Sequence, residues 1–312
     1  MKHNCLYCYK PLDHETDFHK ACSLSFFGTE TPPKLEYSLD QMSELAKDVI
    51  ERSVAVPGVQ PKLSLSIVND MTQNTNFRLT VVGALGGNFI FKPPSKDYPD
   101  MPQNEHVTMR IAEAFGIQTV KSSLIRLQSG ELSYITKRID RTDDNEKIHM
   151  LDMFQITEAF DKYKSSMEKI GKALGLYSSN TVLDKIFFFE LAVFSFLTGN
   201  NDMHLKNFSM IQSNSGWLLS PAYDLLNVTI VNPDDKEEMA LTIEGKKSKL
   251  TRSNFEALGQ SLNLTNKQIA GVFNRFNKKK SIVIKWIKNS FLSDDMKVRY
   301  IELVLQRYTK IE

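Results

Sequence analysis

The chain has 312 residues, 41% apolar and 24% charged, the composition of an ordinary soluble globular protein with room for one large or two modest domains. A net charge of +2 excludes a global polycation, so a nucleic-acid role would need a local basic patch. The three cysteines are odd in number and crowded near the start, which argues against a disulfide framework and for a reducing cytoplasm.

Residues 1–30 stand apart as a Cys/His-containing segment. Its first residues, MKHNCLYCYK, lack the apolar run of a secretory signal. Cys5-x₂-Cys8 and His19-x₂-Cys22 form two tight pairs. Tetrahedral Zn²⁺ takes such pairs, because a turn of two intervening residues aims both ligands at one point. These four residues are therefore a candidate zinc set that would staple the segment; the bland alternative is small cysteines buried in a structural lead-in.

TPPKLE (31–36) reads as a linker, and Asp40 to Ser53 has helical spacing. VQPKLSLSIV, FRLTVV and NFIFKPP are short, β-branched and bounded by turn residues, which predicts strands, with a turn at 83–87. Helical spacing returns over 101–116, where Gly116 suits a C-cap. VKSSLIRLQSGELSYITKRID predicts a hairpin turning at Gln128 to Glu131. Beyond residue 141 helices are expected at about 148–160, 165–175, 179–198, 251–262 and 265–291. They are interrupted by two short strands around Asn214-Ser215-Gly216.

The run IFFFELAVFSFL (186–197) is too short to span a bilayer, which takes about 20 residues, and predicts a buried helix with Phe187, Phe188, Phe189 and Phe194 in the core. Ala257 to Ser293 carries seven basic residues and no acidic one. That stretch reads as the solvated face of packing helices, or as a surface for an anionic partner.

The expected organisation is α+β: the N-terminal segment 1–30, a β-rich lobe with one helix over 31–140, and a helical lobe over 141–312. A two-lobed, kinase-like body with a cleft would follow.

The apolar helix is followed by TGNNDMHLKNFSM (198–210). Phosphoryl transfer needs a carboxylate to orient or deprotonate the attacking hydroxyl, and oxygen ligands for Mg²⁺. Asp202 and Asn207 on one loop supply both, and the predicted hairpin would fold Asp224 back as a second metal carboxylate. Alone, Asp-x-His-x-x-Asn fits a polar surface loop equally well. Two features weigh against that. PGVQPK (57–62) is a tight turn that could offer backbone N–H groups to phosphates, with Lys62 behind it. Lys92 ends an apolar strand, placed to meet phosphates and to pair with Glu105 on the next helix.

GVQPKLSL, FIFKPP, NEHVTMRIAEAFGI, KRIDR, LDMFQ, GNNDMHLKNF and PAYDLL occur in that order over roughly residues 53–230, and with them the chain resembles the HipA-like bacterial serine/threonine kinases, most of all the short HipT form. The resemblance implies a kinase-like fold that uses ATP and Mg²⁺. Asp202 would be the catalytic base, and Asn207 and Asp224 the metal ligands. His204 and Tyr223 would lie near the nucleotide. Pro57, Gly58, Val59, Gln60, Pro61 and Lys62 would cover the phosphates, which Lys92 would contact. Lys137, Arg138 and Ile139 would be the hinge whose backbone meets adenine.

It also implies a toxin of a toxin–antitoxin module. The partners would be a small HipS-like antitoxin and a HipB-like DNA-binding antitoxin, with DNA met only through the latter, and the substrate an aminoacyl-tRNA synthetase. Relatives silence themselves by autophosphorylating a serine one or three residues before the loop glycine. Here those positions hold Pro57 and Ala55. Ser53 is the favoured substitute, with Ser64, Ser66 or the absence of this control as alternatives. Two rival readings stay open: a kinase for a small molecule or lipid, and a non-catalytic module binding nucleic acid or an antitoxin.

Overall fold

The computed structural model describes residues 3–13, 15–52, 62–69, 77–82, 86–95, 97–142 and 144–312. The chain divides into two compact units, residues 1–106 with 120–146 and residues 107–119 with 147–312. The Cys/His segment clusters with the first unit, and the division also cuts the helix that follows Lys92.

The first unit carries α1 (Lys20–Phe27), α2 (Leu39–Arg52) and five strands: β1 (Leu63–Asn69), β2 (Phe77–Val82) and β3 (Phe89–Lys92), then, beyond α3 (Met101–Phe115), β4 (Ser122–Arg126) and β5 (Leu132–Lys137). The strands form one sheet in the order β2-β1-β3-β5-β4, every neighbouring pair antiparallel. Alternation sets the faces: Leu63 and Leu65 are buried while Ser64 and Ser66, which follow each of them, are half-exposed. Gly87, at φ 80°, precedes β3, and a Cβ there would lie 2.5 Å from the Leu65 carbonyl oxygen, so only glycine fits. The β4–β5 hairpin turns where the sequence predicts, closed by the Leu127 N–H donating to the Glu131 carbonyl at 2.9 Å.

The unforeseen α1 is short and ends on Phe26 and Phe27, both buried. Their rings lie 5.7 and 6.2 Å from that of Phe89 on β3, so the N-terminal segment is part of the core of this unit. Leu35, in the predicted linker, is likewise buried.

The second unit contains the later turns of α3, then β6 (Met150–Asp152), α4 (Met153–Ile156), α5 (Met167–Tyr177), α6 (Thr181–Leu197), β7 (Ser209–Ser213), β8 (Gly216–Leu219), α7 (Val228–Val231), α8 (Arg252–Ser261), α9 (Asn266–Asn277), α10 (Lys280–Asn289) and α11 (Asp294–Thr309). Among its helices α6 is buried on every side from Phe188 to Leu197, as its apolar run demands, although Phe187 is only half-buried. Phe194 meets Phe115 of α3 at 5.5 Å, and Phe115 meets Phe276 of α9 at 4.7 Å.

Two helical expectations are corrected, and one helix is added. The segment expected as a helix over 148–160 begins as β6, because Met150 to Asp152 pair with β7. Asp152 then caps α4 through a reciprocal capping box with Gln155, and only one helical turn follows. The helix expected over 265–291 breaks at Lys278-Lys279, where the Lys279 ammonium donates to the Ala114 carbonyl of α3 at 2.7 Å. The final helix, α11, was not foreseen, although Tyr300, Val304 and Tyr308 bury one face of it.

Candidate active site

α6 ends at Leu197, and two residues on Gly199, at φ 69°, reverses the chain while the Asn200 N–H donates back to the Ser195 carbonyl at 2.8 Å. A Cβ on Gly199 would lie 2.7 Å from Asn227 Oδ1, so the turn is closed to larger residues. The loop that follows is tied down from within. Asn200 is fully buried; its Oδ1 accepts from the Asp202 N–H at 3.4 Å and its Nδ2 approaches the Asp224 carbonyl at 3.5 Å. Asn201 donates to Asp235 Oδ2 at 3.0 Å and to the Glu237 carbonyl at 3.1 Å.

Asn207, buried in a single 3₁₀ turn, donates its Nδ2 to the Asp202 carbonyl at 3.0 Å. That bond fixes which way the amide points and leaves its oxygen as the outward acceptor. The His204 N–H donates to the same carbonyl at 2.8 Å. Its ring is buried edge-on to Tyr163 at 5.1 Å, and Nδ1 has no hydrogen-bond partner among the described residues. Burial pushes the imidazole pKa below its ordinary value against the pull of the Asp202 and Asp224 carboxylates, so the ring is neutral at pH 7.

The hairpin of β7 and β8 returns the chain to this loop. Tyr223 locks the return: its hydroxyl donates to the Lys206 carbonyl at 2.9 Å and lies 2.5 Å from Ser209 Oγ. Burial drives its phenol pKa up, so it remains a neutral brace. The next residue, Asp224, sits at φ 59°, a left-handed conformation a non-glycine residue adopts only when its surroundings hold it there. Tyr223 beside Asp224 is bonded to Lys206 beside Asn207, and His204 feels both Asp202 and Asp224. The segments that carry Asp202, Asn207 and Asp224 are thus tied to one another within this unit.

Pattern reading missed Tyr163, whose hydroxyl donates to Asp202 Oδ1 at 2.8 Å. It also missed Asp184 on α6, buried, whose Oδ2 accepts from Ser178 Oγ at 2.6 Å and the Leu219 N–H at 2.7 Å. Neither lies in a recognisable motif; a doubled asparagine before the aspartate was the one visible sign of the inner bracing.

In the first unit, Lys92 Nζ and Glu105 Oε1 are 2.6 Å apart, with side chains 5% and 2% exposed. The ammonium also stands 5.4 Å from the Tyr134 ring, its cross-strand neighbour. A desolvated ion pair adds little net stability, so its presence points to use rather than support.

The expected hinge is partly engaged: the Lys137 N–H donates to the Lys121 carbonyl at 2.9 Å and the Arg138 N–H to the Asn88 carbonyl at 2.8 Å. The Arg138 guanidinium is forked onto Asp140 at 2.7 and 2.8 Å. A nucleotide donor amide, if this segment supplies one, is thus neither of these two. Lys62 is exposed at the head of β1. Ser64 and Ser66 are strand residues paired with Val82 and Thr80. Ser53 and Pro57, Gly58, Val59, Gln60 and Pro61 lie outside the described residues. Cys5, Cys8, His19 and Cys22 come together, their ligand atoms all within 4.8 Å of one another.

A β-rich unit with a buried lysine–glutamate pair, and a helical unit with an Asp/Asn loop facing a returned aspartate, are the parts of a kinase-like α+β protein. The HipA-like C-terminal domain profile matches residues 54–283, and the chain belongs to that family. It is 28% identical over 211 residues to a Haemophilus influenzae protein named as a candidate kinase, covering 63% of this chain and 59% of that one. It is 31% identical over 258 residues to the Sinorhizobium fredii candidate kinase Y4dM, covering 78% of this chain and 60% of the relative. The chain thus spans about three-fifths of the length of these relatives. Among solved structures it is similar to HipA of Shewanella oneidensis MR-1, determined with HipB and its operator DNA. The TM-score is 0.66 at 21% identity, over 86% of this chain and 70% of that one. That likeness shows the fold, the kinase-like α+β arrangement expected from the sequence. Among the described residues no helix is long and apolar enough to cross a membrane.

Proposed function

We propose that the chain is an ATP-dependent protein kinase acting on a serine or threonine hydroxyl, and the toxin of a toxin–antitoxin pair. The observation that carries the reading is the bond from the Asn207 amide to the Asp202 carbonyl. It leaves the Asn207 oxygen free to accept, and on this reading that oxygen and the carboxylate of Asp224, held in a left-handed conformation, serve one ion. Two hard oxygen donors so placed fit Mg²⁺, which takes few protein ligands and completes its shell with phosphates and water. Bound there, the ion would neutralise charge on the phosphates.

The chain's own groups have separate roles on this reading. Asp202 orients the acceptor hydroxyl and takes its proton, and the Tyr163 hydroxyl holds that carboxylate in place. Lys92, kept extended by Glu105, meets phosphate oxygens. On this reading the backbone N–H groups of Gly58, Val59, Gln60 and Lys62 would cover the phosphates, and the carbonyls of 137–139 with the Ile139 amide would face the base. Neutral His204 and the Tyr223 brace keep the loop dry and rigid. The family and the HipB-bound Shewanella relative support an antitoxin partner of the HipB type; a HipS-like partner, a synthetase substrate and control through Ser53 complete the proposal.

Asp202→Asn tests it. The variant keeps every backbone bond of the loop, so its melting temperature stays at the wild-type value while phosphotransfer falls about 10²–10⁴-fold. Comparing phosphoproteomes of cells expressing the two forms then identifies the acceptor as a synthetase. Full activity in the variant refutes the catalytic assignment, and label entering lipid or metabolite refutes the protein-kinase reading.

A further inference from the structure

We propose that Cys5, Cys8, His19 and Cys22 hold one structural Zn²⁺ that fastens the N-terminal segment to the sheet of the first unit. The inference is independent of the kinase reading.

Geometry carries it. A tetrahedral zinc site with Zn–S near 2.3 Å and Zn–N near 2.05 Å places its ligand atoms about 3.6 Å apart along S···N edges. Cys8 Sγ lies 3.5 Å and Cys22 Sγ 3.8 Å from His19 Nδ1, and all four ligand atoms fall within 4.8 Å. A disulfide would instead draw two sulfurs to about 2 Å and discard the third; all three cysteines are free.

The histidine is prepared for this role. Its Nε2 lies 3.0 Å from the Pro11 carbonyl, which can only accept, so the proton sits on Nε2 and the Nδ1 lone pair faces the sulfurs. Metal-bound histidines are held by such an outer bond.

The backbone is shaped for it as well. Cys5 and Cys8 flank a tight turn closed by the Tyr9 N–H donating to the Cys5 carbonyl at 2.9 Å, with Tyr9 at φ 62°. His19 is the N-cap of α1 and Cys22 lies in its first turn, so the helix sets their separation. Three thiolates and an imidazole are the ligand set of a closed site, with no position left for substrate.

The site has something to hold. Leu6, between the first pair, accepts the Leu124 N–H of β4 at 3.4 Å, and Tyr9 OH lies 2.9 Å from His106 Nδ1, next to Glu105. Loss of the ion would therefore loosen the ground on which Lys92 and Glu105 stand.

Because every cysteine of the chain belongs to the cluster, thiol chemistry reads this site alone. Tag-free protein purified without chelator should carry about one zinc per chain by elemental analysis. Its thiols should react slowly with a disulfide reagent, and all should react quickly once a strong chelator is added, with a lowered melting temperature. Cobalt in place of zinc should give the intense visible bands of a tetrahedral thiolate site. Cys22→Ser should drop the zinc content at least about fivefold; if that variant does not fold, the wild-type metal and thiol measurements decide. Reduced, folded protein with less than roughly a tenth of an equivalent of metal and freely reactive thiols overturns the proposal, as does a Cys–Cys disulfide.

Discussion

If Asp202 is the base of the proposed function, its chemistry depends on how one carboxylate is aimed, and the Tyr163 hydroxyl is bonded to that carboxylate. A hydrogen bond to a charged acceptor contributes about 1.5–3 kcal/mol, and partial exposure of Tyr163 discounts that value. Tyr163→Phe should therefore lower kcat about tenfold, roughly 1.4 kcal/mol of barrier, while the KM for ATP and the melting temperature hardly move. Steady-state kinetics check this, and an unchanged kcat would mean that the Asp202 carboxylate is positioned without help. The contact explains why part of the site was invisible in sequence. Asp202, Asn207 and Asp224 occupy a spaced pattern that chemistry dictates, so residue type and interval announce them. Tyr163 arrives from a loop 39 positions earlier in the chain. Its role is set by tertiary folding, and no local rule marks a tyrosine for it.

At the scale of elements, the site depends on a helix and a hairpin being held together. Asp184 in the first turn of α6 accepts from both Ser178 and the backbone of β8. β8 is the strand from which the chain runs back to Tyr223 and Asp224. Asp184→Ala leaves the half-buried Leu219 N–H without its acceptor, which costs about 1–3 kcal/mol. Chemical denaturation should show that loss, with Asp184→Asn falling between. A change below about 0.5 kcal/mol would mean the strand is held by its pairing with β7 alone. The hairpin itself was legible, since alternation and the Asn-Ser-Gly turn are local signals. So were α3, α6 and the strands of the first unit, where periodicity and apolar content agree. The failures have physical causes. Met150 to Asp152 look helical by spacing, yet the partner strand 59 residues later, Met210 opposite Leu151, claims them. α11 is amphipathic through tyrosines and one buried arginine, Arg307, whose burial rests on Glu238 at 2.8 Å, a pairing composition cannot announce.

Over the whole molecule, 39 basic and 37 acidic residues nearly cancel, so electrostatic steering by nucleic acid must come from the basic stretch if anywhere. Packing uses up much of that stretch. Arg275 is paired with Glu190, Lys279 donates to the Ala114 carbonyl and lies over the Phe115 ring, and Lys280 is paired with Glu312. Lys267, Lys278, Lys285 and Lys288 stay exposed, with no ion pair among the described residues. If all of them reached phosphates, counterion release would give a salt slope no steeper than about −4. The isolated chain should then bind duplex DNA without sequence preference and weakly, near 10⁻⁴ M at physiological salt by order of magnitude. Changing the exposed lysines together to glutamate should abolish even that while leaving phosphotransfer intact. Fluorescence anisotropy across a salt series makes the test. A steeper slope, or sequence-specific binding by the isolated chain, would place DNA recognition in this protein; the expected result leaves it to a HipB-like partner, where the proposed function puts it.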